Sequence, residues 1–483
     1  MIPVLTPQEM HAADARTIAA GTPEAVLMQR AGRAVAWRVR QVLGGTYGRR
    51  VVVMCGKGNN GGDGKVTAMA LSEWGVRVDV VNIAELTSVD GGGVYALVRA
   101  DAIVDAMYGT GFRGVLEGVA AEFANRMVSS RAVVVAIDVP SGVDGMTGEA
   151  RGPAVCADHT VTFAAPKPGL WFHPGRALTG TVTVADIGID LGPNGNRTAL
   201  VEADDVASWV PPLDATTHKW RSGVLVIGGS HGMTGAALLV AHAALRLGAG
   251  IVWAALPGRA AVHASGTEVV TRELPDDGTG VLTEAGAGTI GKDAERFASV
   301  VLGPGLGRAD ATAAAVRLLV SSLDRPMVID ADALSALEGR AELLNTRTAP
   351  TIVTPHDGEF ARLTGGPPDA DRIASARELA SVTNAVVVLK GPTTVTAHPD
   401  GRVRLNPTGG PALATAGSGD VLGGIIAAFC ASGMKPFDAA AAGVFVHGLA
   451  GGPEGHTGLT AGDLPVQAAA ALRQILDHSA PEA

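Results

Sequence analysis

Three aspartates stand where apolar runs give way to glycine-rich turns: Asp105 in "DAMYGTGFRG", Asp138 in "IDVPSGVDGMTG" and Asp420 in "ATAGSGDVLGG". Upstream, "NNGGD" sets two amides and a carboxylate, Asn59, Asn60 and Asp63, around Gly61 and Gly62. A carboxylate, a hydroxyl and an amide on neighbouring loops, as with Asp105, Ser141 and Asn60, concentrate oxygen ligands suited to a weakly hydrated cation. Local turn capping is the plainer role for any one of these residues, and Asp144 is expected to do only that. Asp420 suggests other chemistry. Gly417, Ser418 and Gly419 open an Ala/Ile-rich helix whose free N–H groups would form an anion hole. An aspartate one step inside that turn could take the proton of an attacking hydroxyl during phosphoryl transfer. A glycine-rich helix start with a dipole-matching Asp would look the same.

The turn after "VVVMC" adds Gly56, Gly58 and Gly61 at the spacing of a dinucleotide-binding loop. Read this far, it could serve an NAD-dependent dehydrogenase, with Asp79 in the next strand as the ribose acid. It is not a phosphate-binding P-loop, because Val66 follows Lys65 where Ser or Thr is required. The filling of "NNGGD" is richer in oxygen ligands than a redox coenzyme needs.

These loops need strands to hold them. The runs "RVVVMC", "VRVDVVN", "DAIVDAMY", "RAVVVAID", "HTVTF" and "TVTVADI" alternate with helical periodicity in "GKVTAMALSEWG" and "GVAAEFANRMVSS", the pattern of a doubly wound sheet. The rhythm fails across 192–222, where Gly, Asn and a Pro pair gather, so a boundary is expected near residue 207, with domains 1–207 and 208–483. A second α/β series then runs from "GVLVIGGS" through "NAVVVLKGPTTVTA" to an Ala-rich helical end.

Composition limits the partners. A chain of 483 residues, 47% hydrophobic and 18% charged, can fill more than one core. A net charge of -9 offers no footprint for nucleic acid or an anionic membrane, so small molecules are the expected partners. Three scattered cysteines fit neither a disulfide framework nor a zinc site, and no stretch reads as a leader or a membrane span. A cytoplasmic location is expected.

The N-terminal half resembles the YjeF N-terminal family of NAD(P)H-hydrate epimerases over about residues 1 to 205, through "LTPQEMHAADA", "GNNGGDG", "GTGFRG", "DVPSGVDGMTG" and "TVTFAAPKPGL". That resemblance implies potassium on Asn60, Asp105 and Ser141. It implies substrate contacts from Asn59, Asn60, Gly61, Gly62, Asp63, Gly109, Thr110, Gly111, Phe112, Arg113, Gly114, Val115 and Asp138. Lys167 in "APKPGL" would otherwise be an exposed loop lysine; the same pattern implies that it assists Asp138 in proton transfer. Lys65 and Met69 depart from the family pattern.

From about residue 218 onward the chain resembles the ribokinase-like ADP/ATP-dependent NAD(P)H-hydrate dehydratases, through "GVLVIGGSHGMTGAALLVAHAALRLGAG", "LGPGLG", "TPHDGEFARL", "LKGPTTVT" and "NPTGGPALATAGSGDVLGG". By that resemblance Ala236, Gly305, His356 and Asp420 meet the hydrated substrate, while Lys390, Gly391, Pro392, Thr393, Thr394 and Gly419 meet ADP or ATP with Mg2+. Trp220 stands where glycine is usual. Together the halves imply repair of a damaged nicotinamide dinucleotide as substrate, by a homo-oligomer. Two alternatives stay open: a small-metabolite kinase with an NAD-sensing N-terminal domain, or a non-enzymatic dimerisation or RNA-binding module.

Overall fold

A computed structural model of the chain describes residues 1–88, 96–192, 197–212, 217–258, 268–452 and 458–479. The chain divides into two compact units, Ile2–Thr198 and Ala199–Ala483, the latter with Met1. The expected boundary near 207 therefore falls too late. Residue 207 lies inside the helix Ala203–Trp209, whose Val206 joins the core of the second unit, and Val201 N–H donates to Leu405 O there at 3.2 Å. The Pro/Gly/Asn-rich composition marked the neighbourhood of the join but not its end; 193–196 and 213–216, which carry much of that composition, lie outside the described residues.

In the first unit six strands form one parallel sheet in the order Arg77–Asn82, Arg50–Cys55, Ala102–Ala106, Val133–Ile137, His159–Phe163, Thr181–Ala185. The β-branched runs of the four inner strands are buried on both faces, as a helix-covered parallel sheet requires, while the two edge strands, Arg77–Asn82 and Thr181–Ala185, are exposed or half-buried. The chain winds outward from Arg50–Cys55 to one side and then returns to Ala102–Ala106 on the other. Connections at that reversal diverge and leave a crevice beyond the strands' C-terminal ends.

One element differs from its reading. The segment "NNGGDG" is not a turn before a helix but the first turns of the helix Asn59–Glu73. Its glycines serve close approach: a Cβ on Gly61 would collide with Gly56 O, and one on Gly64 would come to 2.5 Å from Ala106 Cβ. Gly56 itself cannot carry a side chain, since it would strike Met107 O.

The second unit repeats the logic. Parallel strands run in the order Met327–Ile329, Ser299–Leu302, Gly223–Ile227, Ile251–Pro257, Val270–Leu274 on one side, continuing through Thr351–Val353 and Val386–Leu389 on the other. "NAVVVLKGPTTVTA" is two strands, since Val395–Ala397 folds back antiparallel on Val386–Leu389, followed by Val403–Leu405. Here the reversal lies between Gly223–Ile227 and Ser299–Leu302, which aims the loops after both at one place. The helices Thr234–Arg246 and Ser418–Ala431 cross closely enough that a Cβ on Gly424 would overlap Val240 O, and their Ala, Val and Ile residues fill the core beside the sheet. Among the described residues no helix is long and apolar enough to cross a membrane.

Candidate active sites

The crevice of the first unit is a cavity of about 780 Å³. Its walls include Gly56 to Asn60, Asp63, Gly109 to Phe112, Asp138 and Lys167, and, from the first two helices, His11, Asp14, Glu24 and Met28. Asp138 ends its strand in the left-handed region, φ 66°, an uncommon state for a non-glycine residue. Its N–H donates to Val161 O at 2.7 Å, which fixes the backbone there. One carboxylate oxygen takes the Lys167 ammonium at 2.6 Å and the Thr162 hydroxyl at 3.1 Å, and the other accepts Thr110 N–H at 3.0 Å. Lys167 is no exposed loop residue. Its side chain is 1% exposed, and it also donates to Thr162 Oγ1 at 3.0 Å.

Asp105 is wholly buried behind this wall. It accepts Ser141 Oγ–H at 2.6 Å, Ser141 N–H at 2.8 Å and Met107 N–H at 3.2 Å. Burial outweighs these bonds and pushes its carboxyl up to about 6, with no cationic side chain paired to it among the described residues. Asn60, on the neighbouring helix start, has a buried side-chain nitrogen without a partner. The orphan nitrogen is a donor and cannot itself ligate a cation; what fits a monovalent cation is the oxygen chemistry of the buried Asp105 carboxylate, the Ser141 hydroxyl bonded to it and the Asn60 amide oxygen.

Asp63 differs from both. It is 9% exposed and lines the cavity; its backbone carbonyl accepts the Thr67 hydroxyl at 2.8 Å, but its carboxyl group has no hydrogen-bond or ion-pair partner among the described residues. Burial first, then the nearby Asp138 and Asp14 charges, push its carboxyl up to about 8. Asp14 is also raised by burial, against the pull of Lys167. Asp144 does cap its own turn, accepting Met146 N–H at 2.8 Å and Thr147 N–H at 2.9 Å. Arg113, Gly114 and Val115 do not line the cavity, and Arg113 turns to Asp144 at 3.5 Å. Lys65 and Met69 are exposed on the outer helix face, clear of the site.

In the second unit the helix Ser418–Ala431 begins as expected, with Gly417 at φ 88° as its N-cap and Asp420 in its first turn. His447, buried on the next helix, approaches Ser418 O at 3.0 Å and Ser418 Oγ at 3.1 Å, and burial pushes its imidazole down to about 4. A neutral ring with Nε2–H donating to the carbonyl anchors that first turn. Lys390 Nζ lies 2.9 Å from Asp330 Oδ1 and 3.6 Å from Glu359 Oε2, and a Cβ on Gly419 would sit 3.5 Å from it. Asp420 is pushed up to about 7 by burial and then by Asp330, with Lys390 pulling the other way and Asp332 and Glu359 adding repulsion.

The remaining loops close on the same place. Gly305, at φ 68°, packs on Met233 O and Ala236 Cβ, and its carbonyl accepts Ser230 Oγ–H at 2.9 Å; Gly307 N–H donates to Asp332 at 2.9 Å. His356 caps the helix Asp357–Thr364 through Gly358 N–H at 2.9 Å, while Glu359 caps back to His356 N–H. Gly391 and Pro392 are exposed, Thr394 is half-buried, and Thr393 is buried. Trp220 lies at the opposite, N-terminal edge of the sheet, ahead of Gly223–Ile227. It packs edge-on against Trp253 and Phe297 under the Arg296 guanidinium at 4.1 Å. The large side chain is thus absorbed in a surface aromatic cluster away from the site.

Comparison with known proteins agrees with both halves. A family model described as NAD(P)H-hydrate dehydratase matches residues 224–469, and one described as YjeF-related protein N-terminus matches 24–94 and 83–169. The bifunctional NAD(P)H-hydrate repair enzyme Nnr of Moorella thermoacetica is 41% identical, covering 92% of this chain and 91% of that one. This chain belongs to the bifunctional NAD(P)H-hydrate repair enzyme family. The Nnr protein of Mycobacterium leprae is 39% identical over 90% of each. A crystal structure of ADP/ATP-dependent NAD(P)H-hydrate dehydratase from Bacillus subtilis, co-crystallized with ATP/Mg2+, is 30% identical with a TM-score of 0.50, covering 57% of this chain and 98% of that one.

Within this family member, Asp14, Asp330 and Asp332 were missed as site residues from the sequence. Asp330 ends the strand Met327–Ile329 just as Asp138 ends Val133–Ile137, and the residue after it, Ala331, is left-handed at φ 54°. A carboxylate at the end of a buried run was the available signal.

Proposed function

We propose that the two crevices carry out successive steps in repairing hydrated NADH and NADPH. The first unit interconverts the R and S hydrates. The second dehydrates the S form at the expense of ADP or ATP. The observation that carries this reading is the Asp420 carboxyl, tuned to about 7 at the mouth of a helix-start anion hole and flanked by the Lys390 ammonium.

The hydrate carries a hydroxyl on C6, beside the ring nitrogen, and hydroxide is a poor leaving group. Asp420 takes the hydroxyl proton as the oxygen attacks the terminal phosphoryl group. The N–H groups of Gly417 and Gly419 hold the charge that spreads over the phosphoryl oxygens, while the Ser418 N–H is taken by Thr415 O at 3.2 Å. The phosphate ester then loses orthophosphate from C6 and a proton from C5, and the ring double bond returns. Lys390 and the loop through Thr394 would meet the nucleotide, with Ala236, Gly305 and His356 along the dinucleotide. Four carboxylates, Asp330, Asp332, Glu359 and Asp420, outnumber the Lys390 ammonium and the Arg308 guanidinium that meets Asp332 at 3.7 Å, which suits a nucleotide that arrives with Mg2+, and the metal would supply charge neutralisation.

In the first unit the Asp138–Lys167 pair is the proton-transfer centre, and Asn59, Asn60 and Asp63 with Gly109 to Phe112 grip the substrate, while Gly61 and Gly62 serve helix packing and do not line the cavity. Asn60, Asp105 and Ser141 would hold K+, which offsets the buried Asp105 charge and braces the two loops. An epimerase fused to a stereospecific dehydratase leaves neither hydrate stranded.

A kinase of a small metabolite would instead leave a stable phosphorylated product. The test is to supply S-NADH hydrate with ATP and record orthophosphate and dihydronicotinamide absorbance together. Equal gains of both are expected. A phosphate ester that accumulates without absorbance gain would overturn the dehydratase reading.

A further inference from the structure

We propose that Asp63 is the acid of the epimerase site, delivering a proton to the C6 hydroxyl from the cavity wall opposite in character to the Asp138–Lys167 pair. The inference rests on the epimerase reading and adds a residue and a step to it. It begins from a contrast among the carboxyls of one cavity. Asp138 is tied down by an ammonium at 2.6 Å, a hydroxyl and a backbone N–H. Asp63, nine-tenths buried and lining the same cavity, has none of these on its carboxyl group among the described residues. An isolated buried carboxylate costs several kcal/mol, on the order of the full ionic desolvation penalty, so such a group keeps its proton instead. The charged and titratable groups around the cavity are of both signs: Asp14 and His11 on the first helix, Glu24 on the second, Lys57 before Asp63's own helix, Glu117, and Asp138 with Lys167. The carboxylates nearest Asp63 in effect, Asp138 and Asp14, both favour its neutral form. Two carboxyls in one site with opposed surroundings are the arrangement by which one fold supplies both an acid and a base.

The step balances as follows. Asp63 gives its proton to the C6 hydroxyl oxygen; the C6–O bond breaks, water departs, and the nitrogen lone pair forms an N1=C6 iminium. Water then adds to the other face of C6 and sheds its proton to Asp138. Proton exchange between the two carboxyls through the cavity restores the starting state. No oxidant or reductant is involved, and the reverse epimerisation uses the same groups in the opposite order.

The experiment measures epimer interconversion by the full-length protein, without nucleotide, from pH 5 to 10 for wild type, Asp63→Asn and Asp63→Glu. Wild type should lose kcat/KM on an alkaline limb centred near the Asp63 value of about 8. Asp63→Asn should lose on the order of 100-fold in kcat with its KM changed only a few-fold, and Asp63→Glu should recover activity with an alkaline limb of its own. The thermal unfolding transition of the N-terminal unit, followed by circular dichroism, reports folding of each variant. Activity of Asp63→Asn within a few-fold of wild type, or a wild-type profile with no alkaline limb, would overturn the role of Asp63. If Asp63→Asn does not fold, the wild-type and Asp63→Glu profiles decide in the same way. A folded wild-type protein that interconverts the epimers at no pH overturns the epimerase reading itself, a distinguishable failure.

Discussion

Asp330→Asn should move the acid limb of the dehydratase pH profile to lower pH. With Asp420 at about 7, roughly one-tenth of it is deprotonated at pH 6 and about nine-tenths at pH 8, so wild-type kcat/KM should rise about tenfold across that range. Asp330 raises Asp420 by repulsion and also occupies the Lys390 ammonium at 2.9 Å. An amide removes the repulsion and leaves Lys390 freer to attract Asp420, so both changes act downward. Loss of one close like charge in a buried site is worth about one to two pH units. The variant should therefore rise no more than about twofold between pH 6 and 8, against about tenfold for wild type, even if its plateau falls because Lys390 is held less firmly. The assay is phosphate release from S-NADH hydrate under saturating nucleotide, from pH 5 to 9. An acid limb at the wild-type midpoint would show that Asp330 does not act on the titrating group, or that this group is not Asp420.

Other outcomes follow from the same geometry. Asp420→Asn should lower dehydration on the order of 100-fold or more while leaving epimerisation unchanged, checked by running both assays on one preparation. Asp105→Ala should weaken K+ binding and slow epimerisation, leaving the R hydrate behind when nucleotide is supplied; parallel loss of both hydrates in a folded variant would contradict the cation site. Asp63→Asn should raise the Tm of the N-terminal unit more at pH 8 than at pH 5. The folded carboxyl holds its proton up to about 8 and the unfolded one only to the ordinary carboxylate range, so that stability falls as pH rises between them. Chains cut at 198/199 should give two folded pieces, each with its own activity, and circular dichroism with the two assays would check it.

The sequence revealed most of what positions the sites and less of what tunes them. Buried parallel strands are continuous β-branched runs, so "RVVVMC" and "HTVTF" were found to the residue. "VTREL", Val270–Leu274, escaped because it is an edge strand exposed at four of its five positions and carries no apolar run. The glycines of "NNGGDG" signalled close approach, but their helical state depends on how tightly that helix packs beside Gly56 and Ala106, which pattern alone does not encode. Lys167 reads as a loop lysine because nothing local distinguishes it; its burial comes from Asp138, 29 positions earlier. Asp330 and Lys390 are 60 residues apart and meet only through the sheet order. Asp14 sits on a helix whose polar residues look solvent-facing until that helix covers the cavity.

The central claim is that one chain runs two coupled steps on a damaged dinucleotide. Its most direct test is to incubate a mixture of R- and S-NADH hydrates with the protein, with and without ATP or ADP, and follow both hydrates and NADH by chromatography. Without nucleotide, a starting excess of either hydrate should relax to the equilibrium ratio far faster than in buffer, with no NADH formed. With nucleotide, both hydrates should disappear together into NADH. Disappearance of the S hydrate alone, or relaxation no faster than in buffer, would contradict the account.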